Sequence, residues 1–257
     1  MSKSVMPTTA GAVLGVLGGM GPAATADFLD KLAASTPAAR DQEHIATLVY
    51  SDPTTPDRSD AMVAEGPDPL PALLHGIEFL SNAGVGAIAI PCNSAHFWYD
   101  QMQRATDVPI LHIVDAVAEQ VRARAGEVRR IGLMSTDGTA RSGVYDRLAD
   151  HGYELMDLTD LGADSPTTAG IRLVKSGDLD AARRTLTRAA NELVDRGAQG
   201  IVYGCTDISA VLGPAPSGID VPVWDSATAL AAASVDYIRS ERHAGGTATR
   251  KVTHGAL

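Results

Sequence analysis

Short, nearly all-apolar runs alternate along this chain with longer stretches whose apolar residues return every three or four positions. The short runs read as strands covered on both faces: Val13 to Gly18, "HIATLVYS" (44–51), "GAIAI" (86–90), "PILHI" (109–113), "RIGLMS" (130–135), "YELMDL" (153–158), "GIVY" (200–203) and "VPVW" (221–224). The periodic stretches read as helices over Pro22 to Ala34, Leu70 to Asn82, Ser94 to Arg104, Asp115 to Ala125, Ser142 to Asp150, Leu179 to Val194 and Ala227 to Arg239. Pro22 suits a first helical turn, and the Ala83-Gly84 step suits a helix end. Helices between successive strands imply parallel pairing, so the expected fold class is α/β.

The pattern then repeats. Leu80, Gly84, Ile88 and Cys92 are spaced by four, and so are Leu193, Gly197, Ile201 and Cys205. Helix end, turn, strand and cysteine therefore coincide in the two frames. Upstream, "GVLGGMG" (15–21) and "GLMSTDG" (132–138) share their first and last glycines. The gaps from Gly15 to Cys92 and from Gly132 to Cys205 are 77 and 73 residues, so the register nearly holds. Two structurally similar halves are expected.

Composition narrows the function. The formal net charge is −10, and no basic run exceeds the Arg129-Arg130 pair. Nucleic-acid grooves and anionic membranes both call for concentrated positive charge, so neither is an expected partner. The opening "MSKSVMPTTA" carries no export pattern, which points to a reducing, cytoplasmic setting where two cysteines are not a disulfide scaffold. The histidines lack metal-ligand spacing, so no metal is expected. The polar, Gly- and Thr-rich end, 243–257, is expected to be a frayed tail. "GMGPAA" from Gly19 fits a dinucleotide-binding pattern, but Asp52 lies 31 residues beyond Gly21, longer than such a site uses. Its glycines are read instead as a close backbone approach to a small ligand.

The cysteines carry the chemistry. Ligands of parallel α/β sheets bind beyond the carboxyl ends of strands, and each cysteine follows a strand there, just before a helix start. If the halves face each other about a pseudo-twofold, Cys92 and Cys205 meet in one cleft from opposite sides. Helix-start amides would favour the thiolate, and Asn93-Ser94 and Thr206-Asp207 supply neighbouring polar groups. Three chemistries stay open: a redox pair, a single nucleophile assisted by His96 one turn away, or two opposed acid/base thiols. Only the last needs both cysteines. One thiolate removes a proton from carbon while the opposite thiol returns one to the other face, inverting a stereocentre.

The motifs "GVLGGMGPAAT", "SDPTTPDRS", "IAIPCNSAHFWYD", "STDGT" and "GCTD" resemble the aspartate/glutamate racemase family, nearest its cofactor-independent aspartate racemase branch. The resemblance runs from about Val13 to Leu212. It implies two pseudo-symmetric Rossmann-like domains, residues 1–115 plus 225–242 and residues 116–224, with the active site in the cleft. It also implies two-cysteine catalysis without pyridoxal phosphate or any other cofactor, commonly in a homodimer. On the family pattern Arg58 and Lys175 hold the carboxylates of a small dicarboxylic amino acid. Met20, Asn93, Ser94, Thr136 and Thr206 match further substrate-binding positions, and His96 and Asp207 are supporting residues. Asp207 stands where the aspartate branch usually has Glu and glutamate racemases have His. Aspartate, then glutamate, is the expected substrate; a related enzyme on a diacid, of maleate isomerase or decarboxylase type, and a non-catalytic amino-acid binder are the alternatives.

Overall fold

The computed structural model describes residues 13–62, 65–124, 128–214 and 216–248. In chain order the first half holds β1 (Leu14–Gly18), α1 (Pro22–Ser35), β2 (Thr47–Ser51), α2 (Arg58–Met62), α3 (Leu70–Asn82), β3 (Ala87–Ala89), a 3-10 turn (Ser94–Trp98) leading into α4 (Tyr99–Arg104), β4 (Ile110–Leu111) and α5 (Ile113–Arg124). The second half holds β5 (Arg130–Met134), α6 (Asp137–Arg141), a 3-10 turn (Val144–Asp146) into α7 (Arg147–Asp150), β6 (Glu154–Met156), α8 (Pro166–Ser176), α9 (Leu179–Asp195), β7 (Gly200–Tyr203), α10 (Thr206–Leu212), β8 (Val223–Asp225) and α11 (Ser226–Ala248).

The strands form two four-stranded parallel sheets, ordered β2-β1-β3-β4 and β6-β5-β7-β8. The second order is the first with four added to every number, so the halves share one topology. Register agrees as well. Gly15 of β1 pairs with Ile88 of β3, and Gly132 of β5 pairs with Ile201 of β7. Each isoleucine stands four residues before its cysteine, so the repeat in the sequence is a repeat of strand register.

Burial explains the apolar runs. Every residue of β1, β3 and β7 is buried, as expected where helices cover both sheet faces. One buried cluster runs from Leu14 and Val16 through Val117 and Val121 of α5 and Leu230 and Val235 of α11 to Leu133 and Val202. The two sheets thus share a core. The chain reaches α11 from the second sheet, yet that helix packs on α1 and α5.

Several expectations shift. The helix expected over Ser142 to Asp150 is interrupted at Gly143, which has φ 76°, and an unexpected α6 precedes it. Arg58 opens α2, a short helix not expected from the sequence, because Asp57 Oδ1 accepts from the N–H groups of Ser59 and Asp60 and starts the turn. α11 continues past Arg239 to Ala248, so the first part of the expected tail is helical, while 249–257 and the opening residues 1–12 lie outside the described residues. Among the described residues no helix is long and apolar enough to cross a membrane.

Candidate active site

A sheet ordered 2-1-3-4 has its switch point between the first and third strands, where connections leave toward opposite faces and open a crevice. The loops leaving these strands carry Met20 after β1, Cys92 after β3, Thr136 after β5 and Cys205 after β7. All four line one cavity of about 340 Å³. Asn93, Ser94, Thr206 and Asp207 line it beside the cysteines, and Arg58 from α2 and Lys175 from the last turn of α8 complete it. Each half therefore contributes one thiol and one cation. A larger hollow of about 810 Å³ between α5 and α11 contains neither cysteine nor these cations.

Both cysteines are free thiols. Cys92 is 7% exposed, and its Sγ lies 3.4 Å from Ser94 Oγ in a hydrogen bond. Cys205 is less enclosed, and its thiol donates to Asp207 Oδ2 at 3.9 Å. Burial first, and the Asp207 carboxylate second, push the Cys205 thiol up to about 12; the Asp207 backbone N–H and Lys175 pull the other way, and Cys92 across the cavity adds to the rise. The helix-start expectation is thus reversed at Cys205. α10 begins at Thr206, but burial and an acidic neighbour outweigh its amides, and Cys205 stands as a proton donor at neutral pH.

The cations are held differently. Arg58 Nη1 donates to the carbonyls of Thr55 at 3.1 Å and Pro56 at 2.7 Å, and Nη2 donates to Met20 O at 3.4 Å. Its Nε is buried without a partner. A guanidinium has five N–H groups, so Nε–H and one Nη2–H remain, which is the side-on fork that matches a carboxylate. Arg58 also ties the α2 loop to the turn after β1. Thr136 caps α6 by accepting from Thr139 N at 3.2 Å and donates to Thr139 Oγ1 at 3.0 Å. Thr139 reaches the cavity too.

His96 is not at the cavity. Its ring is 3% exposed, bonds Ile90 O at 3.2 Å through Nε2, and packs 4.7 Å from the His112 ring. Burial lowers it to about 3, so it stays neutral and serves the backbone before Cys92, not the thiol. The glycine-rich turn also differs from expectation. Gly19 has φ 94°, and a Cβ there would come within 2.4 Å of Asp52 backbone atoms, so this glycine lets two protein loops meet; Gly21, with open space around its Cα, is the one beside the cavity. Thr139, Asp57 and Tyr145 are among the contributors not singled out from the sequence. Asp57 was findable as an acidic residue ahead of a helix start. Tyr145, fully buried, carries no local signal; its hydroxyl donates to Asn93 Oδ1 at 2.7 Å.

The chain resembles known proteins, two of them across most of its length. The broad specificity amino-acid racemase RacX of Bacillus subtilis is 29% identical over 228 residues, 87% of this chain and 96% of that protein. A glutamate racemase of Clostridium perfringens is 28% identical over 136 residues, 51% of this chain and 50% of its own. The structure of Picrophilus torridus aspartate racemase superposes with a TM-score of 0.77 at 29% identity, covering 89% of this chain and 95% of that one. A family model described as Asp/Glu/Hydantoin racemase matches residues 17–234, a span that includes both cysteines and every strand but the start of β1. The chain belongs to the Asp/Glu/Hydantoin racemase family.

Proposed function

We propose that this chain is an amino-acid racemase that inverts the α-carbon of aspartate, and more weakly of glutamate, by proton transfer between Cys92 and Cys205 without pyridoxal phosphate. The observation that carries the reading is the meeting of two strand-end thiols, one from each half, in a single small cavity with Arg58 and Lys175. The cations answer the two carboxylates of the substrate. The printed activities of its relatives, amino-acid, aspartate and glutamate racemases, support the reaction class.

The step balances as follows. One cysteine, as thiolate, takes the α-proton and becomes a thiol, leaving the electron pair on Cα. The opposite cysteine delivers its thiol proton to the other face and becomes the thiolate. The two sulfurs have exchanged charge, and proton exchange with solvent restores the starting form. With Cys205 raised to about 12, its resting protonation suits the direction in which it acts as the acid. A thiolate is weakly hydrated compared with a carboxylate, so enclosing it beside a poorly acidic C–H costs little.

The domain division of residues 1–115 plus 225–242 against 116–224, a homodimeric state and a cytoplasmic location belong to the same reading. Purified protein incubated with L-aspartate, without added pyridoxal phosphate, is expected to yield D-aspartate, with L-glutamate slower. Conversion of other amino acids with no preference for dicarboxylates would move the reading toward the broad specificity of the Bacillus relative. Binding without inversion would replace it with the non-catalytic one.

A further inference from the structure

Tyr145 stands in the 3-10 turn before α7, in the second half, yet it touches both cysteine loops. Its hydroxyl donates to Asn93 Oδ1, in the loop just after Cys92. Its ring lies directly under Gly204, immediately before Cys205: a Cβ at Gly204 would come within 3.2 Å of Tyr145 Cε2 and 2.8 Å of Leu133 Cδ1. Tyr145 is 1% exposed and Asn93 is 5% exposed. With Oδ1 of the Asn93 amide tied back to the phenol, the end left over is Nδ2, which is buried and has no partner, in a residue that lines the cavity. A buried amide N–H₂ without an acceptor is costly unless something else supplies one.

We propose that Tyr145 is a positioning residue, which orients the Asn93 carboxamide across the boundary between the halves so that its N–H₂ donates to a substrate carboxylate. The proposal rests on the functional reading above for the identity of that carboxylate. Both elements of the device are fixed: the ring by packing against Gly204 within the buried cluster that also holds Leu133, the hydroxyl by burial, which raises the phenol well above its ordinary value and keeps it a neutral donor. The amide then has one orientation available to it. Since the donor belongs to one half and the amide to the other, the amide is set only when the halves are packed together.

Tyr145→Phe keeps the ring and removes the donor. In the otherwise native protein this change is expected to raise KM, and the dissociation constant for L-aspartate measured by calorimetry, about five- to tenfold, with kcat changed less. In an Asn93→Ala background the same change is expected to alter both by less than about twofold, because the amide it acts through is gone. An equal factor in the two backgrounds, or no effect in the native one, overturns the proposal. A reading independent of ligand accompanies the cycle. The Asn93 side-chain amide signals in a 1H–15N spectrum, identified by their loss in Asn93→Ala, are expected to move and exchange faster in Tyr145→Phe, and unmoved signals overturn the proposal. Should the native protein bind aspartate without inverting it, the functional reading fails, while the cycle in dissociation constants still decides the role of Tyr145.

Discussion

Replacing Asp207 by Asn should make Cys205 easier to ionise, by an amount the geometry bounds. The carboxylate lies 3.9 Å from the sulfur. At an effective dielectric of about 20, two unit charges at that distance interact by about 4 kcal/mol, or at most about three pH units. Burial is the larger cause of the rise to about 12, and it survives the substitution. The expected fall is therefore about one to two units. The chain has two cysteines, so in a Cys92→Ser background Cys205 is the sole thiol, and its reaction with a neutral dipyridyl disulfide can be followed alone. At pH 9 the thiolate fraction should rise about 10- to 100-fold. Each unit of lost basicity also lowers intrinsic nucleophilicity about threefold, so the net rate gain is about 3- to 10-fold. An unchanged or slower rate would refute the assignment of Asp207 as a group holding the proton on Cys205.

Other perturbations have equally definite signs. Arg58→Lys keeps the charge but loses the fork and the bonds to Thr55, Pro56 and Met20, so KM for aspartate should rise about tenfold or more; an unchanged KM would remove Arg58 from substrate binding. Lys175→Ala should raise KM as well, and its removal should also push Cys205 further up, because Lys175 now pulls that thiol down. Alkylation of both cysteines should abolish inversion, and activity surviving complete modification would contradict the chemistry. Burial holds His96 at about 3 and His112 at about 4, below the ordinary value of about 6.5. The unfolded chain therefore takes up protons that the folded one refuses, so this stability is complete above about pH 6.5 and is lost as pH falls toward 4. Between pH 7 and pH 5 each ring should cost about 2 kcal/mol, read as a drop in urea unfolding free energy, and a flat profile would contradict their burial as neutral groups.

Local periodicity carried most of the fold. The frame ending in Cys92 and Cys205 was visible because strand register and helix ends repeat at fixed spacing, and the pairings Gly15 with Ile88 and Gly132 with Ile201 are its physical meaning. The break at Gly143 was hidden because a single left-handed residue leaves little mark on an apolar pattern. Cavity residues adjacent to the cysteines in sequence were readable; Arg58 and Lys175, from helices elsewhere in each half, came through family resemblance. Tyr145 was not readable at all, since its role depends on a contact 52 residues away. The direction of the Cys205 ionisation was misread for the same reason. Helix-start amides are local and visible in sequence, whereas burial is a property of the packed halves.

The central claim, that two thiols address opposite faces of one α-carbon, is tested most directly by isotope exchange in single-cysteine variants. Cys92→Ser and Cys205→Ser would each be incubated with L-aspartate and with D-aspartate in deuterated water, and deuterium at Cα would be followed together with enantiomeric purity. Each variant lacks one of the two groups, so neither should interconvert the enantiomers. The remaining thiolate should still wash deuterium into the enantiomer whose C–H points at it, and the preferred enantiomer should be opposite in the two variants. Full racemisation by either variant, or exchange confined to the same enantiomer in both, would contradict the account.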